Sequence, residues 1–215
     1  MVDMWGARLL QLPFDWLTLT AWFILLFAIW LIATIFYNMY EEKRQIPGVS
    51  QWIAQKGKIL CTQAEFKSGI QLSVSPSDPR IQRLDLGSFR TRDIHGNIHS
   101  FFRMRLHLAL DAGIHFDLTP KRFVPGGMIF EPGEAIIGID AIDQAFYTET
   151  TMYKETAHLL QTPKILTILE ELHELRKLQV KGDVIELTFK RKVELLETMY
   201  RLARTIAYRL EELYI

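Results

Sequence analysis

The chain reads as an α+β protein in which one N-terminal transmembrane helix precedes a mostly antiparallel sheet domain that closes with a helix, a hairpin and a helix. Three observations predict this. Residues Trp16 to Tyr37 run without a charged side chain, and a helix of that length covers roughly 30 Å, the hydrocarbon thickness of a bilayer. Residues Ser100 to Leu110 alternate apolar and polar side chains, the period of a strand with one buried face. After Thr162 and Pro163 the apolar residues return at helical spacing, and a long amphipathic stretch ends the sequence. Strands followed by helices is the order of an α+β domain rather than of repeated βα units.

The expected division is a tail over residues 1–15, the span over 16–40, a linker over 41–49 and a soluble domain over 50–215. Tail residues 4–12, with Trp5, Leu9, Leu10 and Leu12 before Pro13, leave two readings open, a short interfacial helix or a frayed end. The span does not read as a cleaved signal peptide. Its N-terminal flank offers only Arg8 against Asp3 and Asp15, and the run ends in Phe36, Tyr37, Asn38, Met39 and Tyr40, without a basic start or a small-residue cleavage site. A soluble core helix would show a polar face, whereas Leu17 to Ile35 offers only Thr18, Thr20 and Thr34. Trp16 at one end and Tyr37 and Tyr40 at the other are the expected membrane anchors, with Trp22 and Trp30 deeper against lipid. Arg8 alone precedes the span, while Lys43, Arg44, Lys56 and Lys58 follow it; this asymmetry predicts a single-pass protein whose C-terminal domain is cytoplasmic. The single Cys61 agrees, since it has no cysteine in the chain to pair with.

Beyond the span, Glu41 to Arg44 end the helix, Pro47 and Gly48 break it, and Ser50 caps a short helix through Gln55. An extended linker from Glu41 to Pro47 reaches at most about 25 Å, which keeps the domain close to the membrane surface. Ile59 to Val74, interrupted near Ser68 and Gly69, predicts a hairpin. Leu84 to Thr91 is the expected partner of Ser100 to Leu110, with Asp93, Gly96 and Asn97 supplying the turn. His115 to Leu118 and Ala135 to Ile139 read as strands around a loop rich in Pro and Gly, Val124 to Gly133. Thr162 as cap and Pro163 at the first position start a helix to about Leu175. Leu178 to Val180 and Val184 to Phe189 form a hairpin about Lys181, Gly182 and Asp183. A final helix over about Lys192 to Leu213 shows the stripe Leu195, Leu196, Met199, Leu202, Ala203, Ile206 and Leu210.

Catalytic signatures are poor. The histidines include no H-E-x-x-H pair, and one cysteine cannot build a thiolate-rich zinc site. His107, His115, Asp111 and Asp117 would make a metal site only if two strands turned between them, and solvated turn residues are the plainer reading. Asp140 and Asp143 read as turn-stabilising carboxylates ahead of an acid/base or cation-binding pair. Gly126, Gly127 and Gly133 lack the Lys-Ser/Thr of a phosphate loop, and Cys61 beside Ile59 and Leu60 reads as a small buried residue. No metal and no cofactor are expected. The one charged feature is an arginine cluster, Arg80, Arg83, Arg90, Arg92, Arg103 and Arg105. Of these, Arg90, Arg92, Arg103 and Arg105 would lie at the turn end of the hairpin as a site for anions or an anionic leaflet, and whether they share a face depends on register. The bland alternative is a solvated sheet face.

The stretch Ile137, Gly138, Ile139, Asp140, Ala141, Ile142, Asp143, Gln144, Ala145, Phe146, with Leu159, Leu160, Gln161, Thr162 and Pro163 after it, resembles uncharacterised bacterial single-pass membrane proteins with a cytoplasmic domain of unknown function. That group is expected to carry a Gly-Asp-x-x-Phe-Asp-like segment and a Leu-Leu-x-Pro helix start; here Ile139 separates Gly138 from Asp140, and Ile142 stands where Phe is expected. The resemblance covers roughly residues 110–213 and implies the architecture and an inner-membrane location, with no activity. The expected function is a membrane-tethered cytoplasmic domain that binds a protein partner or supports assembly of a membrane complex. The alternative is a membrane-associated enzyme acting on a phosphorylated or lipid substrate held by the arginines. The expected partners are the lipid bilayer and another membrane or cytoplasmic protein, with a homo-oligomer left open. Charge beyond residue 40 is nearly balanced, so no nucleic acid is expected.

Overall fold

The computed structural model describes residues 16–65, 69–92, 96–121 and 134–214, and the chain divides into two units, Met1–Pro47 and Gly48–Ile215. Helical backbone runs over Trp16–Ala54 (α1) with Pro47 inside it. The expected break at Pro47 and Gly48, with a fresh helix capped by Ser50, is thus replaced by uninterrupted helix. A proline removes one amide donor, and the residues that follow are held by burial of Val49 and Ile53 in the domain core. In the first unit, Leu19–Tyr37 is long and apolar enough to cross a membrane. Its Thr34 hydroxyl donates to the Trp30 carbonyl at 2.8 Å, which satisfies a polar group inside an apolar segment. Trp22, Trp30, Tyr37 and Tyr40 are all exposed. The tail and the Trp16 side chain lie outside the described residues.

The second unit contains β1 (Gly57–Glu65), β2 (Gly69–Pro76), β3 (Ile81–Arg92), β4 (Ile98–Leu108), β5 (His115–Pro120), α2 (Asp140–Ala145), β6 (Phe146–Thr150), α3 (Tyr153–Leu160), α4 (Pro163–Glu171), β7 (Leu175–Lys181), β8 (Val184–Lys190) and α5 (Leu196–Tyr214). Among the described residues the strands form one eight-stranded sheet in the order β1-β2-β3-β4-β8-β7-β5-β6, and each neighbouring pair is antiparallel. Alternation decides what is buried. Leu84 and Leu86 of β3, Phe102, Met104 and Leu106 of β4, and Ile185, Leu187 and Phe189 of β8 face the core, where α5 lies against β4 and β8. Helix α5 adds Leu196, Met199, Leu202, Ala203, Ile206 and Leu210, residues three and four apart that make one apolar stripe.

Two local readings are corrected, and the cap of α4, which Thr162 does occupy, works through its backbone. Ala135 to Ile139 is a loop rather than a strand. The Ala135 amide pairs with a strand, donating to Thr148 at 2.7 Å, whereas the amides of Ile137, Gly138 and Ile139 are drawn onto the Asp143 carboxylate at 3.1, 2.8 and 3.1 Å. Thr162 does precede Pro163 at the start of α4, yet its hydroxyl makes no capping bond. The helix instead closes on the Thr162 carbonyl, which accepts from Ile165 and Leu166. The helix also stops at Glu171 rather than near Leu175, since Leu175 already pairs with Phe189 in the sheet. Val124 to Gly133 and Asp93 lie outside the described residues.

Candidate functional site

Strand pairing decides which charged residues can act together. In β3 the even-numbered Leu84, Leu86 and Ser88 are buried, so Arg90 and Arg92 continue that face beyond the core. In β4 Phe102, Met104, Leu106 and Leu108 are buried in the core, so Arg103 and Arg105 point to the opposite face. Gly87 is opposite Arg103 and Asp85 opposite Arg105, with Arg90 opposite Ser100 and Arg92 opposite Ile98. The four arginines therefore form two pairs on two faces and not one patch.

Arg103 and Arg105 belong to a polar ladder on the face away from the core. Glu186 of β8 stands opposite Arg105 and binds its Nε at 2.6 Å, with the Nε of Arg103 3.3 Å from the same carboxylate. Asp85 accepts from the Ser73 hydroxyl at 2.6 Å and from Arg83 Nε at 3.0 Å, and His107 Nε2 lies 2.9 Å from it. Lys177 of β7 pairs with Asp117 of β5 at 2.8 Å. Aromatic rings continue the face. Phe89 and Phe101 are 5.7 Å apart, the Arg103 guanidinium stacks 4.7 Å from Phe89, and Arg176 lies 5.1 Å from Phe101.

The groups considered for a metal do not converge. His107 is engaged by Asp85, Asp111 accepts from the Gly113 amide at 2.8 Å, Asp117 is held by Lys177, and His115 is exposed. Among the described residues no three metal-ligating side chains come together. Asp143 is spent on the three amides of the preceding loop, while Asp140 is exposed in the first turn of α2.

Two polar clusters tie α5 to the rest of the domain. Trp52 Nε1 donates to Glu197 at 2.9 Å, Lys56 forms an ion pair with the same carboxylate, and the Lys56 ammonium sits over the rings of Trp52 and Tyr200 at 5.2 and 4.9 Å. Partial burial works to raise the pKa of Glu197, but the bonds from Lys56 and Trp52 outweigh it and hold the carboxyl below its ordinary range. At the β2–β3 turn, the Asp78 side chain is 8% exposed. It receives Tyr208 OH at 2.7 Å, Arg204 Nε at 3.1 Å and the Arg80 amide at 3.1 Å. Burial again pushes upward, and the Tyr208, Arg80 and Arg204 donors together push the pKa down. These contacts are architectural, and sequence reading found neither cluster because the bonds to α5 join residues over a hundred positions apart.

The remaining surface of note is the β1 edge. Among the described residues strand β1 pairs with β2 alone, and it is nine residues long. Ile59 and Leu60 are 47% and 55% exposed there, and Leu60 is the extra residue of a bulge between the Ile59 and Cys61 pairings. The opposite edge, β6, is five residues long and is partly occupied by the Ala135 amide on Thr148. A cavity of about 440 Å³ opens between α2 and α4, floored by Ile142, Phe146, Leu166 and Leu169 with Lys121 and His173 among its polar lining; sequence reading did not anticipate it, since its walls come from separate elements.

No protein-family model and no curated protein matches this chain. Among solved structures, the crystal structure of the mycobacterial trehalose monomycolate transport factor A, TtfA, is similar to it, at 10% identity and a TM-score of 0.44, over 78% of this chain and 92% of that chain.

Proposed function

We propose that this chain is a single-pass inner-membrane protein whose cytoplasmic domain binds a partner protein by adding a strand of the partner to the β1 edge. The carrying observation is that edge. A nine-residue strand that has a neighbour on one side only among the described residues offers its other edge for main-chain pairing to an extended segment. The exposed Ile59 and Leu60 supply the apolar contact that fixes register, while the bulge at Leu60 discourages indiscriminate edge pairing. The tether reading rests on the apolar Leu19–Tyr37 helix, and the cytoplasmic side rests on Lys43, Arg44, Lys56 and Lys58 against Arg8.

A photo-crosslinking side chain placed at position 60 tests this in native membranes. An adduct of one defined mass is expected, lost in Ile59→Lys and absent when the crosslinker stands at Glu212, an exposed position on α5. Equal adducts at both positions, or none at position 60, would remove β1 from the argument.

A further inference from the structure

Independently of the β1 edge, we infer that the depression over Gly87 on the polar sheet face is a binding site for a phosphate-class dianion. Across β2, β3 and β4 the paired residues Gln71, Gly87 and Arg103 form one row. The missing side chain at Gly87 leaves a hollow of about 200 Å³ walled by Gln71, Asp85, Phe89, Arg103 and Arg105. That volume is smaller than the roughly 300–1,000 Å³ of sites for drug-sized ligands, so it suits an ion or a headgroup.

The charges around it are already sorted. Asp85 is taken up by Ser73, Arg83 and His107, and Glu186 lies at the Nε edge of both arginines. Engagement at Nε leaves the terminal N–H groups of a guanidinium as donors, and the Phe89 ring under Arg103 fixes the plane of that fork. The buried Arg103 Nε reaches Glu186 at 3.3 Å as an ion pair without hydrogen-bond geometry, a looser tie than that of Arg105 at 2.6 Å. Two guanidiniums on one face of one strand, held by a shared carboxylate, are the arrangement that gives bidentate, charge-assisted bonds to phosphate oxygens. Arg83, Arg103 and Arg105 against Asp85 and Glu186 leave this face with positive charge in excess, which favours an anion over a cation.

The test uses the full chain in nanodiscs of neutral lipid, titrated calorimetrically with inorganic phosphate and, separately, with a short-chain phosphatidic acid. Binding of either is expected, weakened about tenfold or more by Arg103→Gln, which removes the charge-assisted fork, and equally by Gly87→Val, which fills the hollow and leaves every charge in place. Arg90→Gln with Arg92→Gln should bind as the parent does. Binding of phosphatidic acid alone would identify a lipid headgroup as the ligand's source, and binding of both would identify the phosphate group itself. Should Gly87→Val fail to fold, Arg103→Gln decides the matter alone. No binding by the parent, or binding undiminished in Arg103→Gln, overturns the site.

Discussion

Replacing Asp143 by alanine should destabilise the domain by about 2–4 kcal/mol, far more than an exposed substitution allows. Its carboxylate accepts the amides of Ile137, Gly138 and Ile139 at 3.1, 2.8 and 3.1 Å, and Gly138 takes φ of 76° to present its N–H inward. A bond to a charged acceptor contributes about 1.5–3 kcal/mol. The sum over three is reduced because Gly138 is exposed and water replaces the lost acceptor there. Ile137 and Ile139 are buried, so their amides keep most of the penalty. Asp143→Asn retains one carbonyl oxygen and loses the charge, and about half the effect is expected. Asp140, exposed in the first turn of α2, is the control, with a change of about 0.5 kcal/mol. Urea unfolding of the fragment 48–215 measures all three at constant m. A Asp143→Ala shift no larger than that of Asp140→Ala would refute the claim that this carboxylate holds the loop.

Two further outcomes follow from the packing. Asp78 and Glu197 both have folded pKa values below their ordinary 3.8 and 4.5, so their contribution is present above those values and is lost as pH falls through the folded ones; the urea midpoint should drop steeply below about pH 4, and Asp78→Asn should flatten that limb, whereas an unchanged limb would exclude Asp78 from acid stability. Leu106→Asp should unfold the domain, since it places a carboxylate on the buried face of β4 with no partner; circular dichroism should show Arg105→Gln folded, Arg105→Asp less stable because it meets Glu186, and a folded Leu106→Asp would invert the face assignment.

Much of the fold was legible in local patterns. The alternation from Phe102 to Leu108 marked β4 and its buried face, the interrupted run from Ile59 to Val74 marked β1 and β2, and the stripe from Leu196 to Leu210 marked α5. Sheet order was not legible. The β7–β8 hairpin sits between β4 and β5 in the sheet, and pairings such as Arg105 with Glu186 leave no local period. Strand β6 and helix α3 were missed, each too short to show a period among the polar residues of 146–160. The arginine split was readable in principle: Arg90 shares parity with Leu86, and Arg103 is out of phase with Met104, so opposite faces follow once both strands bury their even positions. What no pattern could indicate was that Glu186 gathers Arg103 and Arg105 and that Gly87 opens a hollow beside them, since both depend on neighbours from other strands.

Paired reporters fused after Ile215 measure directly, in intact cells, the proposed topology of one inner-membrane span with residues 48–215 in the cytoplasm. One reporter folds to activity only in the cytoplasm and the other only in the periplasm. Lys43, Arg44, Lys56 and Lys58 on one side of the span against Arg8 on the other predict activity from the cytoplasmic reporter and none from the periplasmic one. Activity from the periplasmic reporter alone would invert the topology and put the β1 edge and the Gly87 hollow in a different compartment.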